Sequence, residues 1–227
     1  MLASVVVPTY NERENLKAIV ERILSAADVE IVVVDDGSPD GTGDMADELA
    51  GSYDKIKVIH RKGKLGLSSA IIEGLRNASS DVVGVIDADL SHPPELISKL
   101  ISPILKGEAD VVFASRYVPG GGVEDWPLIR RVTSNGARLL ARPLTGVKDC
   151  MSGFFFIRKS VIEGVKLDSI GFKTGLEVLV KGKYKKVVEV PFIFKNRRGG
   201  KSKLTTGEYM NYLRHLVKLY AYRLGVR

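Results

Sequence analysis

The chain has 227 residues, 44% hydrophobic and 27% charged, an ordinary globular composition that excludes a disordered or fibrous protein and allows one large domain with a substantial core. Its single cysteine, Cys150, excludes an internal disulfide and any multi-cysteine metal site, and agrees with a reducing, cytosolic setting. The formal charge of +7 is a C-terminal property: Lys181 to Arg227 hold 13 Lys/Arg against 2 Asp/Glu, leaving 21 against 25 before them, so a polyanion (lipid surface, phosphorylated substrate or nucleic acid) is the expected partner.

Met1 is followed at once by a strand-like run, Leu2 to Val7, with no basic stretch or apolar segment ahead of it, so no signal peptide is expected. No apolar run reaches the roughly 18 to 20 residues that span a bilayer, and no transmembrane segment is expected. Ser4 to Pro8 reads as a strand, Asn11 to Ala26 as a helix, Glu30 to Asp35 as a strand and Gly43 to Gly51 as a helix. Lys57 to Arg61 then reads as a strand, Leu67 to Asn77 as a helix, Asp81 to Asp87 as a strand, Pro94 to Gly107 as a helix and Asp110 to Ser115 as a strand. Short continuous Val/Ile runs alternating with helices predict an α/β fold with a largely parallel sheet buried on both faces.

Asn11 with Glu14 three residues on predicts a capping box, Pro93 and Pro94 a helix start, and Pro39, Asp40 and Gly41 a turn. Beyond Ser115 the pattern is looser. Pro119 to Gly122 reads as a flexible loop, Leu128 to Leu144 as a helix, Gly153 to Arg158 and Val187 to Phe194 as strands, Arg197 to Lys203 as a basic glycine-containing loop, and Thr206 to Leu224 as a closing helix. This divides the chain into a domain over 1–204 and a basic amphipathic helix over 205–227.

In open α/β sheets ligands collect outside the carboxyl ends of the strands, and three polar clusters fall there: Pro8 to Glu12, Asp35 to Ser38, and Asp87 to Asp89. On an extended backbone Asp87 and Asp89 point the same way, toward a shared cation. Carboxylate oxygens suit Mg²⁺ or Mn²⁺, which keep waters, bridge substrate phosphates and need only one or two protein carboxylates. The alternative is that the pair caps the strand end and the helix beginning at Pro93 or Pro94. Asp35 and Asp36 read either as base or ribose ligands or as an ordinary turn. Tyr10 is placed to stack on a base, and Glu12 either to bind base or sugar edges or to complement the helix N-terminus.

The motifs Pro8-Thr9-Tyr10-Asn11-Glu12, Val34 to Thr42, Lys64 to Leu67, Asp87 to Glu95, Ser115 to Tyr117, Ser152 to Phe154, and Arg197, Gly200, Ser202 and Lys203 follow one another in an order that resembles the inverting glycosyltransferases of the GT-A fold, and most of all the dolichyl-phosphate (polyprenyl-phosphate) mannosyltransferases. The resemblance covers nearly the whole chain and implies transfer of mannose from GDP-mannose to a polyprenyl phosphate with inversion. It implies donor-binding roles for Pro8, Tyr10, Glu12, Val34, Asp36, Asp87, Ala88 and Asp89, and a Mg²⁺ or Mn²⁺ site at Asp87, Asp89 and Ser91. It further implies an acceptor-phosphate site at Arg116, Arg130, Ser134 and Arg197, and catalytic roles for Asp89, Arg116, Arg197 and Lys203. Cys150 stands where many relatives have Pro, and Lys201 where Glu is common.

A phosphate acceptor is already mostly dianionic at neutral pH, its second pKa being near ~6, so no general base is required. The three histidines, His60, His92 and His215, accordingly read as surface or helix-entry residues. In the last helix Met210, Leu213, Leu216, Val217, Tyr220 and Leu224 fall at helical spacing among Arg214, Lys218 and Arg223. That stripe either packs on the domain or lies on a membrane, and a bilayer-borne acceptor favours a peripheral position on the cytoplasmic face, with room for a membrane-anchoring subunit. Gly200-Lys201-Ser202 is no P-loop, because Lys195 stands at the first glycine position, and no recognition motif supports nucleic-acid binding. The competing readings are a UDP-glucose-dependent transferase and a non-catalytic nucleotide-binding adaptor at a membrane.

Overall fold

Seven strands form the central sheet of the computed structural model, which describes residues 1–124, 126–194 and 206–225. In chain order these are β1 (Ala3–Thr9), β2 (Val29–Asp35), β3 (Ile56–His60), β4 (Val82–Val85), β5 (Val111–Ser115), β7 (Phe155–Arg158) and β8 (Val187–Pro191); β6 (Gly122–Val123) and β9 (Ile193–Phe194) pair separately as a short parallel ribbon. The helices are α1 (Arg13–Ala26), α2 (Thr42–Ser52), α3 (Leu67–Asn77), α4 (Ile97–Leu105), α5 (Leu128–Ala141), α6 (Thr174–Lys181) and α7 (Thr206–Arg223). Strand order is β3-β2-β1-β4-β7-β5-β8, parallel except for β7, which runs against both β4 and β5.

The Val/Ile runs are buried on both faces because helices cover both. Alternate residues of β1 and β2 (Val5, Val7, Ile31, Val33) pack with α1, α2 and α4, while Val6, Val32 and Val34 pack with α3, α6 and α7. After β1 the chain steps outward through β2 and β3, then α3 carries it back across to β4 on the other side of β1. The order of strands therefore reverses beside β1, and a crevice opens at the carboxyl ends of β1, β2 and β4.

Several local expectations are corrected. The capping box is not formed: Asn11 lies ahead of the helix at φ 57°, and α1 starts at Arg13 with no side-chain cap. The strand expected to reach Asp87 stops at Val85, leaving Asp87 to Asp89 in a turn rather than on extended backbone. The expected strand 187–194 is broken at Phe192 into β8 and β9, which join different sheets. The stripe on α7 is split: Tyr212, Leu216 and Leu219 are buried with His215, whereas Met210, Leu213, Val217 and Leu224 are exposed. The basic loop Arg197 to Lys203 lies outside the described residues.

Candidate functional site

The wall of the crevice is built where β1 and β2 end in register, with Pro8 opposite Val34 and Thr9 opposite Asp35. Asp35 turns inward, accepting from Thr9 Oγ1 (3.1 Å), Ser38 N (3.0 Å) and Ser38 Oγ (2.5 Å). Asp36 accepts from Arg61 Nη1 (2.5 Å) and from the amides of Leu65 (2.9 Å) and Gly66 (2.7 Å). What Asp36 contributes to the wall is thus the placement of the 61–66 loop. Gly37, at φ 71°, lets that loop close: a Cβ there would sit 2.6 Å from Gly63 Cα. Lys64 Nζ rests 4.1 Å from the centre of the Tyr10 ring, and Glu12 accepts from Asn15 Nδ2 at 3.0 Å while its own amide donates to Thr42 Oγ1 at 3.0 Å.

At the end of β4, Ala88 is buried and Asp89 Oδ1 accepts from Ser91 N (3.1 Å) and Ser91 Oγ (2.6 Å). The turn needs Leu90 at φ 60°, a backbone setting that costs a non-glycine residue of order ~1 kcal/mol or more. Neither aspartate caps the following helical turn, which opens at Pro93 without a side-chain cap. The Asp87 side chain is 31% exposed and lies 3.6 Å from His92 Nδ1. Two carboxylates and a hydroxyl, with no group of three His, Cys, Asp or Glu among the described residues, fit a hard divalent cation that shares its coordination with water and substrate phosphate. They do not fit a metal held by protein ligands alone.

His92 and His215 are buried, contrary to the surface reading; only His60 is exposed, 2.8 Å from Asp47. Burial among Phe154, Phe192 and Phe194 (ring centres 5.3, 5.6 and 5.7 Å away) lowers the pKa of His92 in spite of the nearby Asp87. The imidazole is therefore a neutral wedge that fixes the Asp87 turn against the aromatic floor.

Arg116, 5.7 Å from the Phe194 ring of this floor, makes a bidentate pair with the fully buried Asp149, Nε to Oδ2 at 2.8 Å and Nη2 to Oδ1 at 2.7 Å, and its amide adds a third bond at 2.8 Å. Burial opposes the guanidinium charge, but Asp149 more than restores it and raises the pKa of Arg116. The Arg130 guanidinium stacks 4.2 Å from the Trp126 ring centre, Arg116 lies 5.3 Å from the same ring, and Tyr117 Oη is 3.1 Å from Ser134 Oγ. The structure thus brings Arg116, Arg130 and Ser134 into one arginine-aromatic cluster; Arg197 and Lys203 lie outside the described residues.

Sequence reading missed three residues here, Asp149, Trp126 and Lys173, and also the burial of His92. Arg116 and Asp149 are 33 residues apart, and no short motif joins them. Lys173 donates to the Met151 carbonyl at 3.4 Å, and burial and the Arg116 charge push its ammonium down to about 8.

Residues 4–165 match the family model "Glycosyl transferase family 2". A dolichol-phosphate mannosyltransferase of Pyrococcus furiosus is 52% identical over 96% of this chain, which spans 64% of that protein's length. One from Mycosarcoma maydis is 40% identical over 98% of this chain and 80% of its own. The mannosyltransferase of Pyrobaculum calidifontis, solved in complex with GDP-Man and Mn²⁺, superposes over 98% of this chain and 64% of its own with a TM-score of 0.66 at 17% identity, a likeness of fold. By the extent of the family match and the identity to relatives it largely covers, the chain belongs to glycosyl transferase family 2 and, within it, to the dolichol-phosphate mannosyltransferases.

Proposed function

We propose that the chain transfers mannose from GDP-mannose to a polyprenyl phosphate with inversion. The observation that carries this reading is that one aromatic floor joins the Asp87–Asp89 turn to the arginine cluster: His92, beside Asp87, packs 5.7 Å from the Phe194 ring, and the Arg116 and Arg130 guanidinium groups lie 5.7 and 5.5 Å from the same ring. One end suits a nucleotide diphosphate and the other a phosphate acceptor. Tyr10, Glu12 and the loop held by Asp36 line the donor side, with Pro8, Val34 and Ala88 buried at the strand ends beneath them. Asp87, Asp89 and Ser91 would hold Mg²⁺ or Mn²⁺, which supplies Lewis-acid stabilisation of the departing diphosphate. Arg130, with Arg197 and Lys203 assigned by the family resemblance, neutralises and orients the acceptor. An acceptor phosphate oxygen forms a bond to the anomeric carbon as the bond from that carbon to the GDP oxygen breaks. No proton has to be removed, which accords with His92 being neutral and packed away.

The acceptor's lipid places the site at a bilayer surface. Among the described residues no helix is long and apolar enough to cross a membrane, but α5 exposes Leu128, Ile129, Val132, Leu139 and Leu140, and α7 beside it exposes Met210, Leu213 and Val217. Tyr212 Oη donates to Ala137 O and Tyr220 Oη to Leu140 O, joining the two helices. Arg131, Arg214 and Lys218 are exposed on them, and Arg142 just past the end of α5. Apolar residues interleaved with cations suit an anionic membrane interface, each cation adding about 1 kcal/mol. The cytoplasmic face and a membrane-anchoring subunit belong to the same proposal.

Radiolabelled GDP-mannose or UDP-glucose, a polyprenyl phosphate and Mg²⁺ or Mn²⁺ test it. Label from GDP-mannose should enter the organic phase, and Asp89→Ala should abolish this. Label from UDP-glucose alone would reassign the donor, and nucleotide binding without product from either would overturn the reading.

A further inference from the structure

Lys173 belongs to none of the motifs above, yet the fold takes trouble to place it. It ends the 168–173 loop and precedes α6, and three helices pin that loop. Ser68 Oγ of α3 donates to the Gly171 carbonyl at 2.5 Å, and Ile170 N donates to His215 Nδ1 of α7 at 3.4 Å. The fully buried Glu177 of α6 accepts from Asp168 N at 3.1 and 3.2 Å and from the Ser169 hydroxyl. At the end of this braced loop the Lys173 ammonium meets the Met151 carbonyl and sits in the field of Arg116, Asp149, Asp87 and Cys150.

Formal charges show what such an ammonium can do. Arg116 is matched by Asp149, and Asp87 with Asp89 would be matched by a divalent cation. Among the described residues Lys173 makes no ion pair, so with the cation bound its charge is left over, beside the Arg116 cluster. The segment it holds by Met151 leads directly to Gly153, where a Cβ would lie 3.4 Å from Asp87 Oδ2. The hydrogen bond to Met151 thus anchors the ammonium within the field of both Asp87 and Arg116.

We propose that Lys173 is a positioning residue of the transfer site: anchored by the Met151 carbonyl, its ammonium supplies the charge that draws the acceptor phosphate toward the donor. This rests on the mannosyl-transfer reading. It predicts opposite effects on the two ions, because a cation removed from near Asp87 favours a metal and disfavours a phosphate.

The test compares full-length wild type, Lys173→Met and Lys173→Arg. Mn²⁺ binding alone is followed by electron paramagnetic resonance. Binding of a short polyprenyl phosphate to protein loaded with GDP and Mn²⁺ is followed by calorimetry. Lys173→Met should bind Mn²⁺ about threefold or more tighter and the polyprenyl phosphate about tenfold weaker, with no loss of thermal stability, and Lys173→Arg should restore most of the phosphate affinity. Weakening of both ions, as general loosening would give, or no change in either, overturns the proposal. Wild-type protein that binds both ions but transfers no mannose would overturn the functional reading instead, while the signs of the two binding changes still decide the role of Lys173.

Discussion

At the scale of single residues the site depends on buried charges that must keep their partners. Asp149 has no exposure and accepts three bonds from Arg116. Removing one partner of such a pair leaves the other desolvated. Asp149→Asn should therefore lower stability by about 3 kcal/mol and weaken acceptor binding, read as a lower urea midpoint and a raised KM for the polyprenyl phosphate. A midpoint unchanged within error would mean that Arg116 finds another partner. The clusters at strand ends were visible in the sequence because turn residues and carboxylates interrupt Val/Ile runs at Pro8, Asp35 and Asp87. What Asp36 and Arg116 bond to was not, because both spend their charge on partners 25 to 33 residues away.

At the scale of elements, legibility followed amphipathicity. The α3 bounds expected from the apolar period are those observed. The α6 segment escaped notice because it is only eight residues long and every residue from Thr174 to Val180 is buried, so the helical period is short and its Val/Leu content reads like a strand. Gly74 shows contact overriding propensity. Alanine normally favours a helix interior by about 1 kcal/mol over glycine, yet a Cβ at Gly74 would lie 2.3 Å from Val6 Cγ1. Gly74→Ala should therefore destabilise the fold by about 1–3 kcal/mol, measured by chemical denaturation; a stabilised variant would show that α3 can lift off β1.

The seat of α7 should also depend on pH. His215 Nδ1 accepts the Ile170 amide, so the ring proton lies on Nε2, which is buried without a partner among the described residues. Burial, reinforced by Lys181 and Lys218 and opposed by Asp168, pulls the pKa from 6.5 down to about 4. As pH falls, the unfolded chain takes up the proton first. The His215 contribution is thus complete above about 6.5 and is lost progressively down to about 4, by roughly 3 kcal/mol in all. Denaturation midpoints at pH 7, 5.5 and 4.5 should fall accordingly, and His215→Gln, which can still accept from Ile170, should flatten that slope.

At the scale of the molecule, the C-terminal excess of charge was legible, but the surface to which it belongs was not. On α7 the spacing merged two faces, one packed on the domain and one exposed, and on α5 the exposed Leu128, Ile129 and Val132 were noted only as part of a helix. Replacing these three by Glu should reduce sedimentation with anionic vesicles several-fold at low salt while leaving the thermal midpoint unchanged. Equal sedimentation would place the membrane contact elsewhere.

The reversed strand β7 has a consequence for handling the protein. Because it runs against β4 and β5, its entry through Ser152 and Gly153 reaches the crevice, and its exit, past Arg158, is carried to the opposite rim. That rim also carries the exposed turn of Lys106 to Glu108 ahead of β5. A peptide tag or surface linker inserted at Gly107 should be tolerated, as exposed loop tips generally are. Protein immobilised there would present its crevice to the solution, ready to be offered a supported bilayer from above.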